Sequence, residues 1–156
     1  MKRDYELDAI DKKILTILQS DATVSHADLA ERVGASSASC WRRVKALESA
    51  GILLATVRMA DAHKLHCGVN VLCNVRVVSQ LHASSIAFEQ FVREQPEIVQ
   101  CYSMSGDWDY LLRIVAKDVA DYNSFLMGKM LKHPAVASAS SHFALETIKF
   151  TTALPL

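Results

Sequence analysis

The chain has 156 residues with 17 basic and 17 acidic side chains, so its formal net charge is +0; 51% of residues are hydrophobic and 22% charged. That length fits one domain or two small ones with real cores, and the neutral balance excludes a protein that coats nucleic acid by bulk charge alone. The opening MKRDYELD is charged with no apolar run behind it, and no stretch approaches the ~18 apolar residues of a membrane span, so neither a signal peptide nor a membrane segment is expected. The four cysteines (Cys40, Cys67, Cys73, Cys101) form no CxxC pair and read as free thiols in a reducing cytoplasm.

In chain order, Lys2 and Arg3 make a small basic arm that can lie along DNA. Asp8 caps a helix in which Ile10, Ile14, Ile17 and Leu18 recur at helical spacing. Asp21-Ala22-Thr23 is a turn. Ser25, with Asp28 three residues on, opens a second helix carrying Leu29, Ala30 and Val33 inward and stopping at Gly34. Ser36 or Ser37 caps a third, with Cys40, Val44 and Leu47 on its inner face, ending at Gly51. Helix, tight turn and helix, with small residues opening the second, is a helix-turn-helix pattern. Between Val33 and Leu47 the only charges are Arg42, Arg43 and Lys45, the local basic patch a phosphate backbone needs. Ser37 and Ser39 can bond phosphates or base edges, and Arg42 or Arg43 can read guanine bidentately; Trp41 can stack on a backbone sugar, but is expected to pack inside its own domain. The competing reading for either Arg is an ion pair, for instance of Arg43 with Glu48 or Glu31.

Ile52–Met59 is apolar and β-prone and reads as a strand or β-wing; residues 61–66 form the domain boundary. Cys67–Val78 alternates with period two, Cys67, Val69, Val71, Cys73, Val75 and Val77 on one face. A helix follows over Ala83–Gln95, with Phe88, Phe91 and Val92 inward. Strands over Ile98–Met104 and Trp108–Val115 flank a Ser105-Gly106-Asp107 turn. Asp118 caps a helix with Val119, Tyr122, Leu126 and Met130 on one face, and a long strand over Val136–Phe150 closes the chain. The order β-α-β-β-α-β predicts a ferredoxin-like sandwich. The fold class is therefore α+β: a winged helix-turn-helix over 1–60, a linker over 61–66 and a βαββαβ domain over 67–156. The open sheet face, with Leu72 and nearby Val78, is expected to be covered by self-association.

Spacing alone makes SMSGDWDY (Ser103–Tyr110) an ordinary polar hairpin turn. His63, His66 and Cys67 do not add up to a metal site, and no P-loop, GxGxxG or nucleophile-elbow pattern appears. The chain reads as neither an enzyme nor a carrier of cofactor or metal.

Four stretches carry a family resemblance: DAIDKKILTILQSDATVSHADLAERVGAS, SSASCWRRVKALESAGIL, GDWDYLLRI and SSHFALETIKFTTALPL. Together they resemble the Lrp/AsnC, or feast/famine, regulators along nearly the whole chain. The CWRR…LESAGIL segment and the TTALPL ending resemble the branch that controls amino-acid degradation genes. The resemblance implies a RAM/ACT-like βαββαβ domain that joins dimers, often into octamers, and a small amino-acid effector bound between dimers. It also implies that the turn binds that effector. Met104, Ser105, Gly106, Asp107 and Asp109 would contact it from the turn, and Ser138, Ser140 and Ser141 from the last strand. Relatives often carry Thr where this chain has Ser141 and Ala139. The implied function is sequence-specific transcriptional regulation of double-stranded DNA in the bacterial cytoplasm, at the nucleoid. The alternative is an effector-independent architectural protein with weak sequence preference and a steep salt dependence.

Overall fold

A computed structural model describes residues 5–79 and 82–156, the side chain of His82 excepted. The Lys2–Arg3 arm lies outside the described residues. The chain forms two compact units, 1–58 with 149–156 and 59–148. No described helix is long and apolar enough to cross a membrane.

The first unit is three helices: α1 (Ala9–Leu18), α2 (His26–Val33) and α3 (Ser37–Ser49). Each start is chemically marked. The Asp8 carboxylate accepts from the Ile10 and Asp11 amides at 2.8 Å each, and Asp11 returns the favour by accepting from the Asp8 amide at 3.2 Å. Ser25 Oγ accepts from the Asp28 amide, and Ser36 Oγ from the Ser39 amide. Gly34, at φ +73°, occupies the left-handed region that ends α2 and lets α3 start within three residues. Ile14, Leu15, Leu29, Ala30, Val33, Cys40, Val44 and Leu47 are buried together. Burial of Leu15 extends the inward stripe beyond the expected positions.

The second unit has β1 (Val69–Val77), α4 (His82–Glu94), β2 (Ile98–Ser103), β3 (Tyr110–Ala116), α5 (Val119–Phe125) and β4 (Val136–Phe143). A π-turn over Leu126–Met130 extends α5, the Leu131 amide donating to the Leu126 carbonyl five residues back. The sheet is antiparallel throughout, in the order β2-β3-β1-β4. This is the expected βαββαβ arrangement. Val71, Cys73, Val75 and Val77 of β1 face the helices beside Tyr110, Leu112, Ile114 and Ala116 of β3. Phe88 of α4 fills the centre, fully buried, with its ring 4.8 Å from that of Tyr110.

Several expectations fail for physical reasons. Ile52–Met59 forms no wing strand: a strand needs a hydrogen-bonding neighbour, and the first unit has no described strand to pair with it. Leu54, Val57 and Met59 stay exposed. The last strand stops at Phe143, where its register with β1 ends; the Ala144 amide still donates to the Asn70 carbonyl at 2.9 Å, and residues 145–150 form no strand. Residues 149–156 join the first unit, where the Leu154 amide donates to Gln19 Oε1 at 2.7 Å and Thr152 Oγ1 donates to the Gln19 carbonyl at 3.0 Å. Residues 61–66 form a closed turn in which Asp61 accepts from the His63 and Lys64 amides. Val119 is 61% exposed, and Phe125 takes the inward place assigned to it.

Each unit carries one tryptophan, Trp41 in the first and Trp108 in the second. Phe88→Ala should destabilise the second unit by about 4 kcal/mol. Urea unfolding of Trp41→Phe and Trp108→Phe backgrounds should place that loss in the transition reported by Trp108.

Candidate functional site

The exposed face of α3 follows from where its buried residues lie. At about 100° per residue, Cys40, Val44 and Leu47 make one stripe, and Ser37, Ala38, Trp41, Arg42 and Lys45 fall outside it. All five are exposed, Trp41 at 53%; the expectation that Trp41 packs inside its domain is overturned. Its position was readable, since it sits 100° from Cys40, but aromatic character suggested burial. Ser39 is half-buried. Lys45 pairs with Glu48 at 2.6 Å, both side chains about half exposed, a surface contact worth about 0–1 kcal/mol that a phosphate can displace. Arg42 makes no ion pair among the described residues.

Arg43 is different. Its Nη1 lies 2.7 Å from Asp8 Oδ2 and 2.8 Å from Asp11 Oδ1, and the Asp11 side chain is only 3% exposed. Neither Glu48 nor Glu31, the partners weighed from sequence, takes part. The guanidinium spans from α3 to the first turn of α1, so it is occupied within the fold. The hydrogen bonds it donates to Asp11 and then Asp8 push its pKa up. The Asp8 carboxyl is held below its ordinary value, first by the Asp11 amide and then by Arg43. Burial and the Asp11 charge push the Tyr5 hydroxyl up, and it donates to Asp11 at 3.4 Å.

The turn between β2 and β3 is also built from both sides. Gly106 has φ +115°, a conformation other residues rarely adopt. Arg76 of β1 donates through Nε (3.1 Å) and Nη2 (2.6 Å) to the Asp107 carbonyl, and its guanidinium lies 5.1 Å from the centre of the Trp108 ring. The Asp109 carboxylate accepts from the Val77 amide at 2.8 Å, just where the β1–β4 register slips, and the Met104 amide donates to the Asp109 carbonyl. Asp109 therefore fastens the turn to β1, while Met104, Ser105, Gly106 and the side chain of Asp107 stay exposed.

Residues directly opposite in a sheet share a face. Ser138 stands opposite Arg76, and Ser140 opposite Asn74, so both lie on the open face that carries Arg76. Ser141 stands opposite Cys73 and points to the helix side. Its Oγ lies 2.5 Å from the Tyr122 hydroxyl and 3.9 Å from Cys73 Sγ. Burial raises the Tyr122 pKa to about 12, with the Ser141 hydrogen bond opposing that rise. The structure thus brings the turn, Ser138 and Ser140 to one side of the sheet and leaves Ser141 on the other. Arg76 and Trp108 were missed. Alternation alone had put Arg76 on the open face, but only the register shows that it reaches the turn.

The open face is mixed: Asn70, Asn74, Arg76, Arg113, Ser138, Ser140 and His142 share it with Leu72, Leu111, Val115 and Tyr102. Val78 lies beyond the end of β1.

Comparison with known proteins agrees with both halves. A family model described as a winged helix-turn-helix DNA-binding domain matches residues 7–53, and one described as the Lrp/AsnC ligand binding domain matches residues 70–154. The chain is 38% identical over 152 residues to the DNA-binding transcriptional activator DecR of Escherichia coli, covering 96% of this chain and 99% of that one. Among solved structures, an AsnC family transcriptional regulator from Agrobacterium tumefaciens shares 42% identity at a TM-score of 0.90, covering 96% of this chain and 97% of that one. A Neisseria meningitidis transcriptional regulator, solved as a complex with L-Met, shares 33% identity at a TM-score of 0.92 with the same coverage.

The two neighbouring arginines should separate in experiment. Arg43→Ala strands the nearly buried Asp11 charge and should cost about 2 kcal/mol, below the range for a fully buried pair because Arg43 is partly exposed. Arg42→Ala should leave the unfolding midpoint unchanged and weaken DNA binding in a gel shift. Because the Asp8 pKa is lowered by folding, its contribution is in place above the ordinary 3.8 and drains away as pH falls below that value. Acid unfolding followed by Trp41 fluorescence reads that loss.

Proposed function

The chain belongs to the Lrp/AsnC family of DNA-binding transcriptional regulators, which are not enzymes, and from that premise we propose how this one reads DNA and senses a metabolite. It acts in the cytoplasm as a homodimer that assembles further, placing copies of α3 in successive major grooves of duplex DNA. Ser37, Arg42 and Lys45 contact the duplex, and Ser39 supports the first turn of the helix. Arg43 holds α3 in place and affects DNA binding through the fold.

A small amino acid binds at the Gly106 turn, and its presence changes DNA affinity or assembly. The observation that carries this reading is Arg76 clamping the Asp107 carbonyl while the Asp107 carboxylate stays exposed. A zwitterion needs an acceptor for its ammonium and donors for its carboxylate. Asp107 offers the first; the amides of Ser105 and Gly106 and the unused Nη1 of Arg76 offer the second. Ser138 and Ser140 line the same side, and Met104 supplies a soft apolar wall. Ser141, on the helix face, supports the strand from behind. The L-Met in the Neisseria regulator is support by analogy for an amino acid as the ligand class.

Self-association is supported by what a single copy leaves exposed. Leu145 and Ile148 are 99% and 84% exposed in an unpaired segment, and Leu72 and Tyr102 lie open on the sheet. Apolar surface of this kind marks a contact with another copy. An effector bound where copies meet shifts the assembly only by as much as it prefers one arrangement.

A thermal-shift panel over the common amino acids, read beside native mass, tests the sensor. One amino acid should raise the midpoint, by about 2.7 kcal/mol equivalent at a hundredfold excess over Kd. Asp107→Ala and Arg76→Ala should remove that shift and keep basal DNA binding. If no amino acid alters midpoint, mass or DNA affinity, the sensor reading fails.

A further inference from the structure

Trp41 is an apolar anomaly on a polar helix face. It is 53% exposed while Cys40, beside it, is fully buried. Among the described residues it enters no ring pair and no cation–π pair. One turn earlier, exposed Ala38 falls three residues before it, and the two form a short apolar strip at the start of α3. Arg42 follows directly and Lys45 lies one turn on, so cations flank the strip. A strip of that kind suits a surface that is anionic at its edges and apolar at one point within. The major groove of DNA is such a surface: phosphates line both rims, and the one apolar group on its floor is the C5-methyl of thymine.

We propose that Trp41, with Ala38 beside it, is a specificity-determining residue that packs against thymine methyl groups in the major groove. The inference rests on α3 being the helix that enters the groove. Within that reading it assigns the sequence preference to an apolar contact as well as to Arg42. The indole offers a flat face to the methyl, Ala38 leaves room for close approach, and Arg42 and Lys45 fix the register on the phosphates.

The test uses the full-length protein and a duplex enriched by it from a random-sequence pool. The same duplex is then made with deoxyuridine in place of every thymidine, which removes the methyl and keeps the pairing. The wild-type protein should bind the deoxyuridine duplex more weakly, by about fourfold for each methyl it contacts. Trp41→Ala should bind the thymidine duplex more weakly than wild type and make no distinction between the two duplexes. Trp41→Leu should recover part of the distinction. Unfolding midpoints of both variants should match wild type, because the indole is outside the core. Equal wild-type affinity for both duplexes overturns the proposal, as does an equal loss in wild type and Trp41→Ala; either outcome puts the indole against sugar or protein instead. Failure to enrich any duplex sinks the DNA-binding reading together with it.

Discussion

The ion pairs from Arg43 to Asp8 and Asp11 decide how the DNA-binding unit can be used. The three helices pack around one apolar cluster. Arg43 adds a polar tie from α3 to the first turn of α1, where Asp8 is already the helix cap and Asp11 is almost wholly buried. Cap, core and ion pair share the same two carboxylates. A change at any one of them loosens the other two. Because Arg43 is committed to α1, the exposed face of α3 keeps Arg42, Ser37 and Trp41, with Lys45 held only by a surface pair to Glu48. The fold spends one arginine on itself and leaves the next one free.

The second unit depends on β1 in the same way. β1 lies between β3 and β4, and its alternate residues divide the labour. Val71, Cys73, Val75 and Val77 build the core, while Arg76 reaches across the open face to the Gly106 turn. The β1–β3 register ends at Val75 and Tyr110, and just beyond it the Asp109 carboxylate takes up the Val77 amide. A carboxylate that the family resemblance assigned to ligand binding is therefore part of the scaffold that holds Asp107 out.

What the sequence revealed and what it hid have a common cause. Elements set by local chemistry were legible: Asp8, Ser25 and Asp118 as caps, Gly34 as a stop, and the valine alternation of β1. Elements that need a partner were not. Ile52–Met59 and residues 145–150 have the composition of strands, yet composition cannot supply a neighbour. The two aspartates of the turn looked equivalent, because only the register with β1 distinguishes Asp109, fastened to Val77, from Asp107, which is not. The three serines of β4 looked like one group, because alternation places Ser141 opposite to Ser138 and Ser140 only once the strand and its start are known. Arg42 and Arg43 are adjacent and chemically identical; the distant Asp8 and Asp11 tell them apart.

A net charge of zero then bears on the mechanism. With Arg43 committed to the fold and Lys45 shared with Glu48, one copy of α3 brings little uncompensated charge to a duplex that is densely anionic. In the proposed assembly, affinity comes from several copies held at fixed spacing, since linked sites multiply where single sites are weak. Spacing is therefore the quantity most worth regulating. A ligand does not need to touch α3 to control it; it needs only to prefer one arrangement of copies over another. On the proposed reading the labour divides between the two units, α3 reading the duplex weakly and the sheet unit, with its exposed Gly106 turn and exposed Leu145 and Ile148, deciding how many readers act together.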